Sequence, residues 1–237
     1  MTLFYAPDIA ADPVLPEEEA QHALRVMRLG EGDEITATDG KGSFYRCTIV
    51  RAHHRQCEVY VAERLPQPPQ RNFRIHIAVA PTKSMERMEW FVEKATETGV
   101  DAITCLDCRF SERHVIKTAR LEKIIIGAIK QSRKAILPDL YGMTGFDTFV
   151  ARPHVGMKFI AHCEADPRKQ LLARIYRPGA DATIMIGPEG DFGKDETALA
   201  ERHGFVPVSL GTSILRTETA ALAACHTFHV ISALPER

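Results

Sequence analysis

Short apolar runs alternate with glycine loops and polar amphipathic segments over the last part of the chain. The apolar run at residues 182–186 ends at the loop 187–190, and the run at 205–210 ends at 211–213. A polar amphipathic segment at 194–203 lies between them, and an alanine-rich segment follows the second loop. This order predicts a strand, a loop and a helix, repeated twice. It is typical of a parallel sheet with crossover helices.

The same alternation begins upstream, soon after residue 70. Further apolar strands are predicted at 73–80, 102–107 and 155–161. Helices are predicted at 85–98, from 121 to about 133, and, more briefly, at 167–174. We therefore expect an α/β fold with helices on both faces of a parallel sheet.

The first 68 residues show another pattern, of short strands and tight turns. The turn Asp39-Gly40-Lys41-Gly42 separates predicted strands at 34–38 and 43–50, as in a β-hairpin. One short helix is expected at 17–27, and the proline-rich stretch 66–70 predicts a domain boundary. The chain is accordingly predicted to contain a small β-barrel, 1–68, and an α/β domain, 69–237.

Composition limits where such a protein works. No apolar run approaches the ~20 residues of a membrane helix, and the N-terminus lacks the basic and apolar regions of a signal peptide. Six irregularly spaced cysteines suggest reduced thiols, so we expect a cytoplasmic protein without a membrane partner. The pair Cys105 and Cys108 forms a CxxC at the end of an apolar strand-like run, and because no second CxxC exists, a structural role is favoured over redox or zinc chemistry.

A net charge of −1 argues against an indiscriminate nucleic-acid binder. In residues 1–65, acidic side chains even outnumber basic ones. An RNA partner would therefore have to be held by a local basic surface.

Both glycine loops follow strands, so both are expected at the carboxyl edge of the sheet, where open α/β folds bind ligands. Gly187, Gly190 and Gly211 would let the backbone approach a nucleotide-like ligand and reach positive φ. Ordinary turn glycines are the alternative. Neither loop matches GxGxxG or GxxxxGK[ST], and no cluster has metal-ligand spacing, so no metal is expected.

The two loop motifs, IGPEGDF at 186–192 and SLGTSILRTETAAL at 209–222, resemble those of the 16S ribosomal RNA uridine-N3 methyltransferases, members of the SPOUT class. Weaker matches are HALRVMR at 22–28, KSMERME at 83–89 and EKATETGV at 93–100. Ala23 and Thr98 stand where the family usually has His and Leu.

The resemblance implies a trefoil-knotted C-terminal domain, a PUA-like N-terminal barrel and S-adenosylmethionine as cofactor. It also implies 16S rRNA or the small ribosomal subunit as partner, and a homodimer with its active site completed at the interface. The segment 217–233 is the candidate interface, with core packing as the alternative. The implied cofactor contacts are His162, Gly187, Pro188, Glu189, Gly190, Leu210, Gly211, Ile214 and Leu215.

Methylation of uridine N3 requires loss of the N3 proton and stabilisation of charge on O2 and O4. Arg216 is the candidate for charge stabilisation, because its guanidinium presents a fixed fork of donors. Glu218 or Glu189 could accept the proton or orient Arg216. Helix-start capping is the alternative for both carboxylates.

Arg25, Arg28, Lys83 and Arg87 are the candidate RNA contacts, since each lies in a family-like segment. Exposed helix charge is the alternative for all four.

Three other functions compete: a catalytically inactive ribosome-assembly factor, a SPOUT methyltransferase acting on tRNA, and another nucleotide-binding enzyme such as a hydrolase. The hydrolase would need a phosphate loop or a GxSxG elbow, and the sequence has neither.

Overall fold

The computed structural model describes residues 2–53, 55–68 and 71–234. It divides into two compact units. The first is the chain up to residue 70 together with Ile126–Leu137, and the second is Arg71–Ile125 with the chain from Pro138 onward.

The first unit is built on a five-stranded sheet. Its strands are β1 (Leu3–Tyr5), β2 (Val14–Leu15), β3 (Glu34–Thr38), β4 (Ser43–His53) and β5 (Gln56–Pro66), in the order β1-β3-β4-β5-β2. The predicted hairpin is confirmed as β3 and β4, with Gly40 at φ +70° in its turn. Alternate side chains such as Ile35 and Ile49 enter a core around Phe4.

A short helix follows β2, as predicted, but it is not uniform. Helix α1 (Glu17–Gln21) continues as a π-helical turn at His22–Val26, and Arg28 then adopts φ +57°. Lys130 donates a 2.6 Å hydrogen bond to the buried carboxylate of Glu19, so Ile126–Leu137 is anchored within this unit.

The second unit contains a seven-stranded parallel sheet. Its strands are β6 (Ile75–Val79), β7 (Ala102–Asp107), β8 (Asp139–Gly145), β9 (Met157–Ala161), β10 (Gln170–Leu171), β11 (Ala182–Ile186) and β12 (Val206–Ser209). The order is β10-β12-β9-β11-β6-β7-β8. Strand β11 is thus flanked by β9 and β6, which both precede it in the chain.

Helices cover both faces of this sheet, as predicted. They include α2 (Met85–Thr98), α4 (Phe146–Ala151), α5 (Leu172–Ile175), α6 (Lys194–Arg202) and α7 (Thr217–Ala233), whereas α3 (Thr118–Ser132) begins in this unit and ends within Ile126–Leu137 of the first unit. Helices α2 and α7 pack together on one face, and α4 and α6 on the other. Strand alternation sends Phe159 toward Phe228 of α7, with ring centroids 6.0 Å apart, and Ile160 into the α4–α6 core.

Two parts of this unit differ from the prediction. The helix expected at 167–174 is wrong over its first half, because Gln170 and Leu171 pair with β12 as a short edge strand. Strand β8 and helix α4 were not predicted. Gly142 and Gly145 interrupt the apolar pattern of β8, as an edge strand tolerates.

The boundary stretch 66–70 is only partly described. Pro66 ends β5, whereas Pro69 and Gln70 lie outside the described residues. The assignment of RNA binding to 1–68 and of methyl transfer to 69–237 stays a prediction.

Candidate functional site

The loop after β11, residues 187–193, is the centre of the carboxyl edge of the parallel sheet. Glu189 Oε1 accepts the backbone N–H of Lys83 at 3.0 Å, in the loop after β6. Asp191 Oδ2 accepts the N–H of Cys163 at 2.8 Å, in the loop after β9. Thr217 Oγ1 donates to the carbonyl of Gly187 at 3.0 Å. Three other segments are therefore bound to this one loop.

The Thr217 contact brings the two predicted glycine loops together. Thr217 is the first residue of α7, directly after the second loop, and its side chain is buried against Gly187. The hydrogen bond fixes where α7 begins relative to the end of β11. Neither loop motif alone predicts this contact.

The three loop glycines serve different purposes. Only Gly211 has a positive φ, +141°, so the expectation of positive φ is wrong for Gly187 and Gly190. A Cβ on Gly187 would lie 3.1 Å from the ring of Phe192, and one on Gly190 would lie 3.0 Å from Cβ of Phe110. These two glycines allow close packing instead.

The second glycine loop is held by its own side chains and opens outward. The Ser209 hydroxyl donates to the carbonyl of Gly211 at 2.8 Å and accepts its N–H at 3.2 Å. A Cβ on Gly211 would meet nothing within 4 Å. Ile214 is 91% exposed, whereas Leu210 and Leu215 are half-buried. This loop therefore presents open backbone and apolar surface.

Arg216 lies at the N-terminal end of α7, as expected from the sequence. Its side chain is exposed, and no described residue pairs with the guanidinium. Its donors are therefore available to a ligand held by the loops.

Glu218 occupies the first turn of α7 and is only 8% exposed. Its nearest opposite charge is Arg87, whose Nε lies 3.9 Å from Oε1. Both residues line a groove of about 340 Å³ together with Glu86, Trp90 and Thr219. Among the described residues, the Glu218 carboxylate accepts no hydrogen bond from the N–H groups at the start of α7, so it does not cap the helix in that way. Its negative charge can still interact favourably with the positive end of the helix dipole.

Glu189 is exposed, and its carboxylate already accepts a hydrogen bond from the N–H of Lys83. The same turn is held from its other side by Arg113, whose guanidinium donates to the carbonyls of Thr82 and Lys83 at 3.1 and 2.6 Å. Glu189 therefore fixes the loop after β6, which favours a positioning role over proton transfer.

The four candidate RNA contacts have different surroundings. Lys83 forms an exposed ion pair with Glu112, 2.8 Å long, and Arg87 faces Glu218. Arg25 and Arg28, in the first unit, are exposed and have no partner among the described residues. The structure thus joins Arg87 to a candidate catalytic residue and leaves Arg25 and Arg28 available.

His162 follows β9 and has an unusual ring environment. Both ring nitrogens are inaccessible, and neither has a hydrogen-bond partner in the described chain. Burial lowers the pKa of this imidazole, with Lys169 adding to the effect. A neutral ring offers one donor and one acceptor, and here both are unused.

The sequence did not predict a role for three residues that make contacts in this site: Thr217, Arg113 and Asp191. Arg113 and Asp191 lie in loops that follow strands at the carboxyl edge of the sheet, and Thr217 directly follows such a loop. Their position after a strand is the feature of the sequence from which they could have been predicted. It is a weak indication, because many polar loop residues have the same position.

Cys105 and Cys108, the CxxC pair, are buried thiols. Burial raises the pKa of the Cys105 thiol to about 12 and raises that of Cys108 as well, so both stay protonated.

Within the described ranges, no group of acidic, His and Cys side chains could hold a metal ion. None of the described helices is long and apolar enough to span a membrane.

This chain is similar to known proteins over nearly its whole length. Residues 69–229 match the RNA methyltransferase domain family, and residues 15–60 match the RNA methyltransferase PUA domain. The ribosomal RNA small subunit methyltransferase E of Mycobacterium bovis is 30% identical over 97% of this chain and 92% of its own length.

Solved structures agree with the sequence matches. A crystal structure of a probable rRNA-methyltransferase from Porphyromonas gingivalis is 43% identical, with a TM-score of 0.93, over 98% of this chain and 99% of that one. The Neisseria gonorrhoeae ribosomal RNA small subunit methyltransferase E, bound to S-adenosyl methionine, is 28% identical, with a TM-score of 0.85, over 98% of each chain. The motif resemblance is confirmed: the chain belongs to the RNA methyltransferase family and combines its PUA and methyltransferase domains.

Proposed function

We propose that this enzyme transfers a methyl group from S-adenosylmethionine to N3 of one uridine in the 16S rRNA of the small ribosomal subunit. The observation that carries the proposal is the junction at Gly187 and Thr217, which joins both glycine loops beside Arg216, whose guanidinium pairs with no described residue. The names of the relatives from Mycobacterium bovis and Neisseria gonorrhoeae support the substrate and the cofactor.

The residues present fit the proposed cofactor. The two ring nitrogens of the half-buried His162 are inaccessible and have no partner in the described chain, and Gly211 leaves its backbone open. Backbone groups of residues 187–190 and 210–215, with the ring of His162, would hold the nucleoside and its amino-acid tail. When bound, S-adenosylmethionine supplies an electrophilic methyl group on its sulfonium sulfur.

Arg216 and Glu218 have different roles toward the uracil: Arg216 stabilises negative charge, and Glu218 accepts the proton. The N3 proton must leave as the methyl group is accepted, and negative charge spreads to O2 and O4. Arg216 donates hydrogen bonds to that charge, because its guanidinium is exposed and has no partner in the described chain. Glu218, which receives no hydrogen bond from described residues, is the better proton acceptor than Glu189.

The predicted trefoil knot belongs to this proposal. Strand β11 lies between two strands formed earlier in the chain, and α7 begins against the end of β11. Threading of residues 187–219 through the preceding segments would produce this order.

Arg25 and Arg28 are the proposed phosphate contacts of the first unit. They flank Val26 and Met27, which are 68% and 41% exposed. Two exposed guanidinium groups that pair with no described residue, beside apolar side chains, suit a ribose-phosphate backbone. In the second unit, Lys83 and Arg87 would contact RNA by exchanging their carboxylate partners for phosphate.

A homodimer is proposed through α7 and α2. Phe228, Ala221 and Ala224 of α7 are fully buried, so core packing accounts for that side of the helix. Val230 of α7 and Trp90 of α2 are 43% and 42% exposed on this packed helix pair. Val230→Glu should dissociate the dimer, as measured by sedimentation equilibrium; an unchanged mass would exclude this surface as the dimer interface.

We also propose a cytoplasmic location, which fits a ribosomal substrate.

Methyl transfer to a panel of RNAs tests the function. The purified protein is incubated with labelled S-adenosylmethionine and small subunits, free 16S rRNA or tRNA, each from cells that lack the protein. We expect label in 16S rRNA and none in tRNA. Label in tRNA would favour the tRNA methyltransferase, and cofactor binding without any transfer would favour the assembly factor.

A further inference from the structure

Asp191 adopts a backbone conformation that its residue type rarely takes. Its φ is +64°, in the left-handed region, in the loop after β11. This region costs most residues with a Cβ about 1–2 kcal/mol, somewhat less for Asp and Asn, and glycine enters it freely. Glycine would therefore suit the backbone here better than aspartate, and the side chain must provide something that glycine lacks.

The side chain provides a link between two neighbouring loops. Asp191 Oδ2 accepts the N–H of Cys163 at 2.8 Å. Cys163 lies two residues beyond Ala161, which pairs with Ile186 at the ends of β9 and β11. The hydrogen bond therefore continues the β9–β11 pairing beyond the sheet edge.

The residue fixed by this link is His162. Its carbonyl accepts a 2.8 Å hydrogen bond from Lys169 Nζ, and the next peptide N–H is the one held by Asp191. Both bonds hold the peptide group that links His162 to Cys163. The ring itself has no partner in the described chain, although both of its nitrogens are inaccessible to solvent.

We propose that Asp191 is a positioning residue for the cofactor: through the Cys163 N–H it holds the His162 ring where its nitrogens meet a polar group of S-adenosylmethionine. Asp191 itself does not touch the cofactor. The inference rests on the proposed function, and it adds the reason why an aspartate occupies a position that suits glycine.

Three variants separate the carboxylate from the backbone. Asp191→Gly removes the hydrogen bond and relieves the backbone. Asp191→Asn keeps an acceptor and tolerates the left-handed region. His162→Ala removes the ring through which Asp191 is proposed to act. Cofactor affinity is measured by calorimetry and stability by thermal unfolding.

We expect Asp191→Gly to weaken S-adenosylmethionine binding about tenfold, the scale of a hydrogen bond to a charged group, without lowering the melting temperature. Asp191→Asn should stay within about threefold of the wild type. In a His162→Ala background, Asp191→Gly should cause no further loss, because its effect passes through the ring. A merely structural role would not produce this dependence.

Wild-type affinity in Asp191→Gly, or losses that add in the double variant, would overturn the positioning role and leave the proposed function intact. A wild-type protein that does not bind S-adenosylmethionine would overturn the proposed function, and this inference with it.

Discussion

Arg87 Nε lies 3.9 Å from Glu218 Oε1, which places a candidate RNA contact against a candidate catalytic carboxylate. Arg87 projects from α2 and Glu218 from the first turn of α7, the two helices that pack together on one face of the sheet. The distance allows attraction without a direct hydrogen bond. Movement of Arg87 toward a phosphate would therefore leave Glu218 free to accept a proton.

Glu218→Gln tests this relationship. The amide keeps the shape of the side chain and cannot take the N3 proton, so the single-turnover methyl-transfer rate should fall by about 10²–10⁴. Cofactor affinity should be unchanged. Glu86→Gln, in the same groove, is the matched control and should keep most of the activity. A Glu218→Gln rate close to the wild type would leave only a positioning role for this carboxylate.

Arg216→Ala should lower the single-turnover rate by about 10²–10³, the effect of losing one preorganised donor. The loss should appear in the rate and not in cofactor affinity, because the charge on the uracil develops only in the transition state. Arg216→Lys should restore little, since an ammonium lacks the planar fork. If Arg216→Ala transfers methyl groups at the normal rate, the residue has no part in the chemistry.

Gly211→Ala tests whether the second glycine loop binds the cofactor. Gly179→Ala is the control, because Gly179 also has a positive φ. Gly211 and Gly179 both have positive φ, and a Cβ on either meets nothing within 4 Å. Alanine should therefore cost about 1–2 kcal/mol of stability at Gly179 and about 1–3 kcal/mol at Gly211. Only Gly211→Ala should also weaken S-adenosylmethionine binding in calorimetry, because only its backbone lies in the proposed site. Equal affinities in the two variants would argue against this loop.

Arg25→Gln combined with Arg28→Gln should weaken RNA binding and reduce the slope of log affinity against log salt by about 1.5–2. Arg51→Gln removes the same kind of charge from the same unit, but Arg51 already pairs with Glu58 at 3.0 Å, so its slope should change little. Fluorescence anisotropy with a 16S rRNA fragment measures both. An unaltered slope in the double variant would exclude these arginines as phosphate contacts.

Acid should destabilise the second unit through His76. Its ring lies in β6 beside Thr104, Phe149 and His154, and burial lowers its pKa to about 4 from 6.5. The folded pKa is below the unfolded one, so this stabilisation is complete above pH 6.5 and is lost as pH falls toward 4. The group should account for about 2–4 kcal/mol of the free energy of unfolding over that range.

Urea unfolding at several pH values checks this. His76→Gln, which keeps a polar partner for Thr104, should flatten the dependence on pH between 6.5 and 4. His203→Gln, at an exposed position, should retain the wild-type dependence. Identical pH profiles for the two variants would contradict the assignment.

Much of the fold follows from local patterns. The apolar runs of β7 and β11 and the helical period of α2 predict those elements with their observed bounds. Strand β8 and the short β10–α5 segment lie at the edges of the sheet, where burial imposes a weaker pattern.

The site could be predicted only in part, because its geometry depends on contacts between distant segments. The motifs indicate that Gly187 and Arg216 belong to ligand-binding loops. The hydrogen bond from the Thr217 hydroxyl to Gly187 spans 30 residues, and the one from the Lys83 N–H to Glu189 spans 106, so neither spacing nor composition predicts them. The left-handed Asp191 is likewise visible only in the folded backbone.

Mass-spectrometric mapping of 16S rRNA shows directly whether this protein methylates N3 of a uridine in the cell. RNA is compared from wild-type cells, from cells lacking this protein, and from deleted cells that carry either the wild-type gene or Arg216→Ala. We predict that one 3-methyluridine disappears on deletion, returns with the wild-type gene and does not return with Arg216→Ala. A 16S rRNA whose 3-methyluridine is unchanged by the deletion would contradict the account.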